Sequence, residues 1–280
     1  MGFVDILLHI DGYPETASLE AVEPAIGFAR LVDGKLTGLA LSVDFPVATN
    51  RLAEVLLNLR QLEQEAEAKS LAACRERLAQ FTSAAEAAGV FAGAEVEKCP
   101  LYAMAQVVGR RARTRDLCLV PVTGPLDGQA EVAATAVFES GRPVLVYKPA
   151  ETAFRSLDKV VVAWDGSRSA ARALADARPL LAQAREVRLV SIVREKPGVQ
   201  PGATAEALRH LQAHGVPAFA EEVEGRGRAI GESLGAYLET QPADLLVMGA
   251  YGHSRLREFI LGGATEYVLN DPRVPVLLSH

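Results

Sequence analysis

The segment GAYGHSRLREFILGGATEYVL, residues 249–269, combines glycines with cationic side chains. Two pairs of glycines frame it, and His253, Arg255 and Arg257 lie between the pairs. Glycine adopts positive φ readily and lets backbone N–H groups approach a ligand closely, and arginine donates charge-assisted hydrogen bonds to anionic oxygens. Residues of these types at this spacing are suited to binding phosphate groups.

The four glycines of the segment are Gly249, Gly252, Gly262 and Gly263. Gly249 ends the apolar run DLLVMG, which has the pattern of a buried strand, and Gly262 and Gly263 open the predicted helix GATEYVLN. The carboxyl end of a parallel strand and the first N–H groups of a helix are both places at which α/β proteins hold phosphate. The alternative that the glycines serve only a tight strand-to-helix turn stays open.

Several established motifs are missing from the sequence. The segment has neither the Gly-Lys-Ser/Thr ending of a P-loop nor the Gly-x-Gly-x-x-Gly spacing of a dinucleotide site. No Gly-x-Ser-x-Gly elbow occurs, so hydrolase activity lacks support. Glu206, His210 and His214 stand four apart on a predicted helix and could ligate zinc, but a solvated helix face explains them better.

Short apolar runs typical of buried strands alternate along the chain with segments of helical periodicity. The predicted strands of the first half are FVDILLHI, KLTGLALSVDF, AGAEVEKC, DLCLVPV and RPVLVYK, and those of the second half are KVVVAWDG, EVRLVSIV, VPAFAEEV, DLLVMG and VPVLLS. Alternating strands and helices indicate parallel sheets covered by helices on both faces. We therefore predict an α/β fold of two tandem five-stranded parallel sheets flanked by helices, each doubly wound.

The two halves are internal repeats of each other. The first strand of each half leads into Asp-Gly, as HIDG and AWDG, and the last strand of each half follows a proline. We place the boundary near Ala150, which gives a first half of 1–150 and a second half of 151–280. The periodicity from Arg51 to Ala88 predicts one long helix, with or without a break, that covers its own sheet.

The composition of the chain narrows the classes of partner that it can bind. The chain has 280 residues, 49% hydrophobic and 23% charged, which is enough for a sizeable core. Its net charge of -6 gives no bulk attraction to nucleic acid or to an anionic membrane, so an anionic ligand needs a local site. With neither a secretory signal nor an apolar run of roughly 20 residues, we expect a cytoplasmic protein with a small-molecule partner. Cys74, Cys99 and Cys118 have no metal-ligand spacing and receive no redox role.

The strand followed by WDGS, the Gly-x2-Gly-x9-Gly loop, the short helix and the closing strand VPVLL together resemble the universal stress protein family. The resemblance covers the second half in matching order, and the first half resembles a second, diverged copy. It implies a five-stranded parallel α/β fold and, for members with an intact glycine loop, ATP binding. Carried over by position, the acid near the adenine end is Asp165, and the loop glycines are Gly249, Gly252 and Gly262.

One position departs from the family's ATP-binding pattern. In that pattern Ser or Thr directly follows the third glycine, whereas Gly263 stands there in this chain. We therefore keep ATP, ADP and AMP as alternative ligands, each with or without magnesium. The residues predicted to bind the nucleotide are Asp165, Gly249, Gly252, His253, Arg255, Gly262, Gly263, Ala264 and Thr265.

Two of these residues have structural alternatives. Asp165 could start a turn, with Ser167 capping the helix RSAARALADA. Thr265 could replace the missing hydroxyl only if the helix start is shifted, and a structural role explains it better. In the first half Asp11 retains the acid, but the loop VPVTGPLDGQAEVAAT lacks the glycine spacing and the basic residues. We expect no nucleotide there in the family's manner.

The resemblance implies a regulatory role in the stress response, with an adenine nucleotide in the second half and a degenerate first half paired with it. A homodimer stays open. One alternative is a scaffold that binds no nucleotide and acts through protein contacts. Another is a weak ATPase, which ranks third because no residue is identifiable that would position the attacking water.

Overall fold

The computed structural model describes residues 2–11, 22–45, 59–124, 128–193, 203–250 and 263–280. The strands of the first half are β1 (Asp5–Ile10), β2 (Lys35–Asp44), β3 (Phe91–Pro100), β4 (Leu117–Pro121) and β5 (Val144–Tyr147), and its helices are α1 (Val22–Leu31), α2 (Leu59–Ala87), α3 (Met104–Ala112) and α4 (Gln129–Ser140). The strands of the second half are β6 (Lys159–Ala163), β7 (Glu186–Val193), β8 (Ala218–Glu224), β9 (Leu245–Gly249) and β10 (Val276–Ser279), and its helices are α5 (Arg168–Leu181), α6 (Ala203–Ala213), α7 (Ile230–Thr240) and α8 (Gly263–Asn270). All ten predicted strands are present.

Each half contains a parallel sheet covered on both faces, so the predicted α/β fold is confirmed. The strand order is β3-β2-β1-β4-β5 in the first half and β10-β9-β6-β7-β8 in the second. Helices α1, α2, α5 and α6 pack against one face, which we call the first layer. Helices α3, α4, α7 and α8 pack against the other face, the second layer.

The two sheets join into one, which the sequence pattern does not reveal. β5 and β10 pair antiparallel, with Leu145 opposite Leu277 and Val146 opposite Val276, and so complete a ten-stranded sheet. We call this pairing the seam. Both hydrophobic layers contain residues from both halves. The halves therefore share two continuous layers of core.

Because β5 and β10 are equivalent strands that meet antiparallel, the seam has the geometry of a twofold contact. Pro143 and Pro275 precede these strands, and their carbonyls accept hydrogen bonds from Cys118 N and Leu246 N. Proline lacks an N–H to donate, so its place before the strand costs no ladder hydrogen bond. The predicted boundary at Ala150 falls in the 3₁₀ turn Pro149–Glu151 beyond β5, and the division into domains stays a prediction.

The described part of the long helix is α2, which has 29 residues and packs on β2 of its own half. Phe81 lies so close to Gly38 of β2 that a Cβ there would be 2.7 Å from the phenyl ring. The helix ends before Gly89, whose φ of 71° is left-handed. The predicted residues 51–58 lie outside the described ranges. None of the described helices combines the length and hydropathy needed to span a membrane.

Candidate functional site

The chain leaves two neighbouring strands of the second half in opposite directions. β6 and β9 pair in parallel. After β6 the chain enters α5 in the first layer, whereas α8, which follows β9, lies in the second layer. A crevice opens between such strands at their carboxyl ends, and doubly wound sheets bind ligands at this switch point. Asp165 follows β6, and Gly249 is the last residue of β9.

Asp165 forms the turn that starts α5. Its Oδ1 accepts a hydrogen bond from Ser167 N at 2.9 Å. Ser167 in turn caps the helix, since its Oγ accepts from Ala170 N at 3.1 Å. Gly166 between them has a φ of 74°, which glycine adopts without strain. The turn-and-cap alternative is therefore present in the structure, and the ligand contact of Asp165 stays a prediction.

Gly249 is required by packing. A Cβ at this position would overlap Ala170 N and Ser169 C and would lie 2.8 Å from Ala170 Cα. The backbone of Gly249 is not left-handed, so positive φ does not explain this glycine. The end of β9 instead lies directly against the backbone at the start of α5. This contact fixes one wall of the crevice.

The first turn of α8 forms the opposite wall. Gly263 begins the helix, and a Cβ added there meets no atom of the described residues within 4 Å. Ala264 packs against the second layer, and Thr265 is 3% exposed, which favours the structural explanation of the threonine. The first N–H groups of a helix have no partner within it and carry partial positive charge. Backbone donors are therefore available at this wall.

The remaining predicted residues, Gly252, His253, Arg255 and Gly262, lie outside the described ranges. Their part in the site stays a prediction.

Two glycines of α7 hold α8 in position. A Cβ on Gly231 would lie 2.6 Å from Tyr267 Cβ and 3.1 Å from Gly263 O, and one on Gly235 would lie 2.6 Å from Tyr267 Oη. The two glycines thus let α7 approach α8 closely at Tyr267. We did not predict this contact from sequence, although the Gly-x3-Gly spacing in IGESLGAY is a signal for it.

The last two residues of the chain hold the start of the glycine loop. Ala250 N donates to Ser279 O at 2.8 Å. His280 Nδ1 lies 3.0 Å from Ala250 O, and because a carbonyl only accepts, Nδ1 carries the proton. The His280 ring also packs edge-to-face on Phe138 of the first half, with 4.7 Å between centroids. Nothing in the sequence pattern marks His280, since its partners are distant in the chain.

The equivalent edge of the first half has different chemistry. His9 in β1 is 3% exposed. Burial lowers its pKa from 6.5 to about 4, and the neighbouring side chain of Gln129, the first residue of α4, acts in the opposite direction. Counting back from the equivalent acids Asp11 and Asp165, His9 corresponds to Ala163. A buried polar pair therefore lies at the helix start of the first half, where the second half has an alanine.

Within the described ranges, no three His, Cys, Asp or Glu side chains come together to hold a metal ion. The rings of His210 and His214 pack against each other, 4.8 Å between centroids. The three cysteines are buried and unbridged, and burial raises the pKa of the Cys118 thiol to about 12. A thiol of this kind is inert as a nucleophile at neutral pH.

Comparison with known proteins agrees with the sequence resemblance. Residues 156–280 match the universal stress protein family. A universal stress protein from Synechocystis sp. is 33% identical over 129 residues, which are 44% of this chain and 43% of that relative, so less than half of the relative's length is matched. A solved structure from Arabidopsis thaliana, a universal stress protein with AMP bound, covers 51% of this chain and 91% of that chain at 20% identity, with a TM-score of 0.32.

A solved universal stress protein from Archaeoglobus fulgidus covers both halves. The match spans 99% of this chain and 97% of that chain at 18% identity, with a TM-score of 0.71. At this identity the likeness shows the fold alone. Residues 156–280 are therefore identified as a universal stress protein domain, and the chain over its whole length shares the fold of a solved universal stress protein.

Proposed function

We propose that the second half binds an adenine nucleotide in the crevice at the carboxyl ends of β6 and β9, and that the protein acts as a nucleotide-dependent regulator in the stress response. The observation that carries this proposal is the switch point itself. Asp165 lies on one side, and Gly249 and the first turn of α8 lie on the other. Phosphate groups would accept from the N–H groups of α8, and the adenine would lie toward Asp165.

Local groups must supply the attraction for phosphate, because the chain as a whole carries a net charge of -6. The helix N-terminus supplies part of it. His253 and Arg255, which lie outside the described ranges, would supply the rest. The number of phosphates, from AMP to ATP, and the use of magnesium remain open within this proposal.

The first half supports a stoichiometry of one nucleotide per chain. His9 and Gln129 lie at the start of α4, where a bound phosphate would need the helix N–H groups. The side chain of His9 is neutral at pH 7 because its pKa is about 4, so it adds no positive charge there. The first half would then serve as a structural partner.

The proposal is tested on the full chain. Mass analysis of small molecules released from gently purified protein, followed by calorimetry with ATP, ADP and AMP with and without magnesium, should give one adenine nucleotide per chain. No released nucleotide and no heat at millimolar ligand would support the scaffold alternative instead. A phosphate-release assay with ATP tests the weak-ATPase alternative in the same preparation.

Gly263→Ser is expected to tighten ATP binding more than adenosine binding. Among the described residues the new side chain has room, since a Cβ at Gly263 meets none of their atoms within 4 Å. Its hydroxyl would donate to a phosphate oxygen, and a hydrogen bond to a charged group contributes roughly 1.5 to 3 kcal/mol when its geometry is ideal. Calorimetry with both ligands measures the difference.

Gly263→Ala is the matched control for the serine, because it adds the Cβ without the hydroxyl. It should leave ATP affinity close to that of the parent. Equal changes for ATP and adenosine, or weaker ATP binding by Gly263→Ser, would show that this position does not face the phosphates.

A further inference from the structure

The residues that follow the two seam strands both reach across the seam. Lys148 follows β5 and His280 follows β10, five positions after the equivalent prolines Pro143 and Pro275. Lys148 Nζ lies 2.5 Å from Asp271 Oδ1 at the end of α8. The ring of His280 packs on Phe138 of α4. Each half thus contacts the last helix of the other half through an equivalent position.

Lys148 and His280 differ in the further contacts that their side chains make. The start of each loop is bound in the same way, with Val122 N donating to Tyr147 O at 2.9 Å and Ala250 N donating to Ser279 O at 2.8 Å. His280 adds a second hydrogen bond, from Nδ1 to Ala250 O. In the described contacts the ammonium group of Lys148 pairs with carboxylates instead. The imidazole therefore holds the loop only in the second half.

Ala250 is the residue from which the glycine loop departs. It is fully buried, and the neighbouring Gly249 is packed against α5. Both backbone groups of Ala250 are bound by the last two residues of the chain. The backbone of Ala250, the last described residue before the glycine loop, is therefore fixed in place at the end of β9.

We propose that Phe138 and His280 link the first half to the edge of the nucleotide site, so that the first half positions Ala250, which follows β9 directly. The edge of the Phe138 ring limits rotation of the imidazole, and the imidazole directs its Nδ1 proton to Ala250 O. This inference rests on the proposed nucleotide site and makes Phe138 and His280 positioning residues.

Phe138 is suited to substitution because it is 47% exposed and contributes little to either core layer. The control is Phe219 on β8, an aromatic residue of similar exposure at 56%, which stacks on Arg188 far along the sheet from the seam. Phe138→Ala removes the ring contact, and His280→Ala removes the donor. His280→Asn restores a side-chain N–H near the place of Nδ1.

The experiment uses the full chain and two readouts. Without ligand, hydrogen exchange at the Ala250 amide should speed up in Phe138→Ala and His280→Ala, while the thermal midpoint stays within a few degrees of the parent. With ATP as the probe, calorimetry should show affinity reduced by about three- to tenfold in each variant. The double variant should be no weaker than His280→Ala alone, since both act through one contact.

His280→Asn should recover part of the protection and of the affinity, and Phe219→Ala should match the parent in both readouts. Unchanged exchange at Ala250 in both alanine variants, or fully additive losses in the double variant, would overturn the link. If the parent binds no nucleotide, the proposed function fails, and the exchange measurement still decides whether Phe138 and His280 position Ala250.

Discussion

Gly249→Ala is expected to destabilise the folded protein by roughly 3 kcal/mol or more, in the absence of any ligand. The added Cβ would overlap the backbone of Ser169 and Ala170, and backbone cannot move aside as the end of a flexible side chain can. To avoid this overlap, β9 must move away from the start of α5, and the close packing between the strand and the helix is lost. Urea unfolding of the variant and the parent without nucleotide measures the loss.

Gly263→Ala provides the comparison, because it adds the same atom at the other wall of the crevice, where no atom of the described part of the chain lies within 4 Å. Its free energy of unfolding should differ from that of the parent by less than about 1 kcal/mol. If Gly249→Ala instead keeps the parent's stability and loses only nucleotide binding, then ligand approach explains Gly249 and the packing explanation is wrong.

Acidification from pH 7 to pH 4 is expected to remove about 3 kcal/mol of stability through His9 alone. Its pKa is about 4 in the folded protein because of burial, against 6.5 in the unfolded chain. Between these values the unfolded chain binds a proton at His9 and the folded protein does not. Stability therefore falls as the pH drops below 6.5, and this loss is complete below about pH 4.

Urea unfolding at several pH values between 7.5 and 4.5 tests this, with His9→Leu as the variant that cannot take up the proton. The variant also changes the buried contacts around position 9, which alters stability at every pH, so the slope of stability against pH is the readout. Below pH 6.5 the variant should show a flatter slope than the parent. Equal slopes in the parent and His9→Leu would contradict the prediction.

The elements of the fold were predictable because each has a strong local signal. Continuous apolar runs such as those in DLCLVPV and DLLVMG mark strands buried on both faces, and periodic segments lie between the strands. Boundaries are less certain: the segment between the strands AGAEVEKC and DLCLVPV begins with the 3₁₀ turn Leu101–Ala103, and α3 covers only Met104–Ala112. The seam was not predictable, since β5 and β10 are apolar strands like their neighbours and only the chain's geometry pairs them.

The location of the candidate site was predictable from the sequence. The packing that explains some of its residues was not. The positions of Asp165 and Gly249 at strand ends follow from the order of strand, turn and helix. The close approach of β9 to α5 at Gly249 depends on how the helix sits on the sheet, which no local pattern specifies. The same holds for His280, whose partners Ala250 and Phe138 become its neighbours only in three dimensions.

The twofold geometry of the seam bears on how such a protein can change over evolutionary time. Between two identical chains, a contact of this geometry repeats every substitution on both sides, so a change that suits one side must also suit the other. Within a single chain the two sides mutate separately. Lys148 and His280 occupy equivalent positions with different chemistry, as do His9 and Ala163. Because the two halves are covalently connected, one half can lose a binding role while the other keeps it, and the seam between them is preserved.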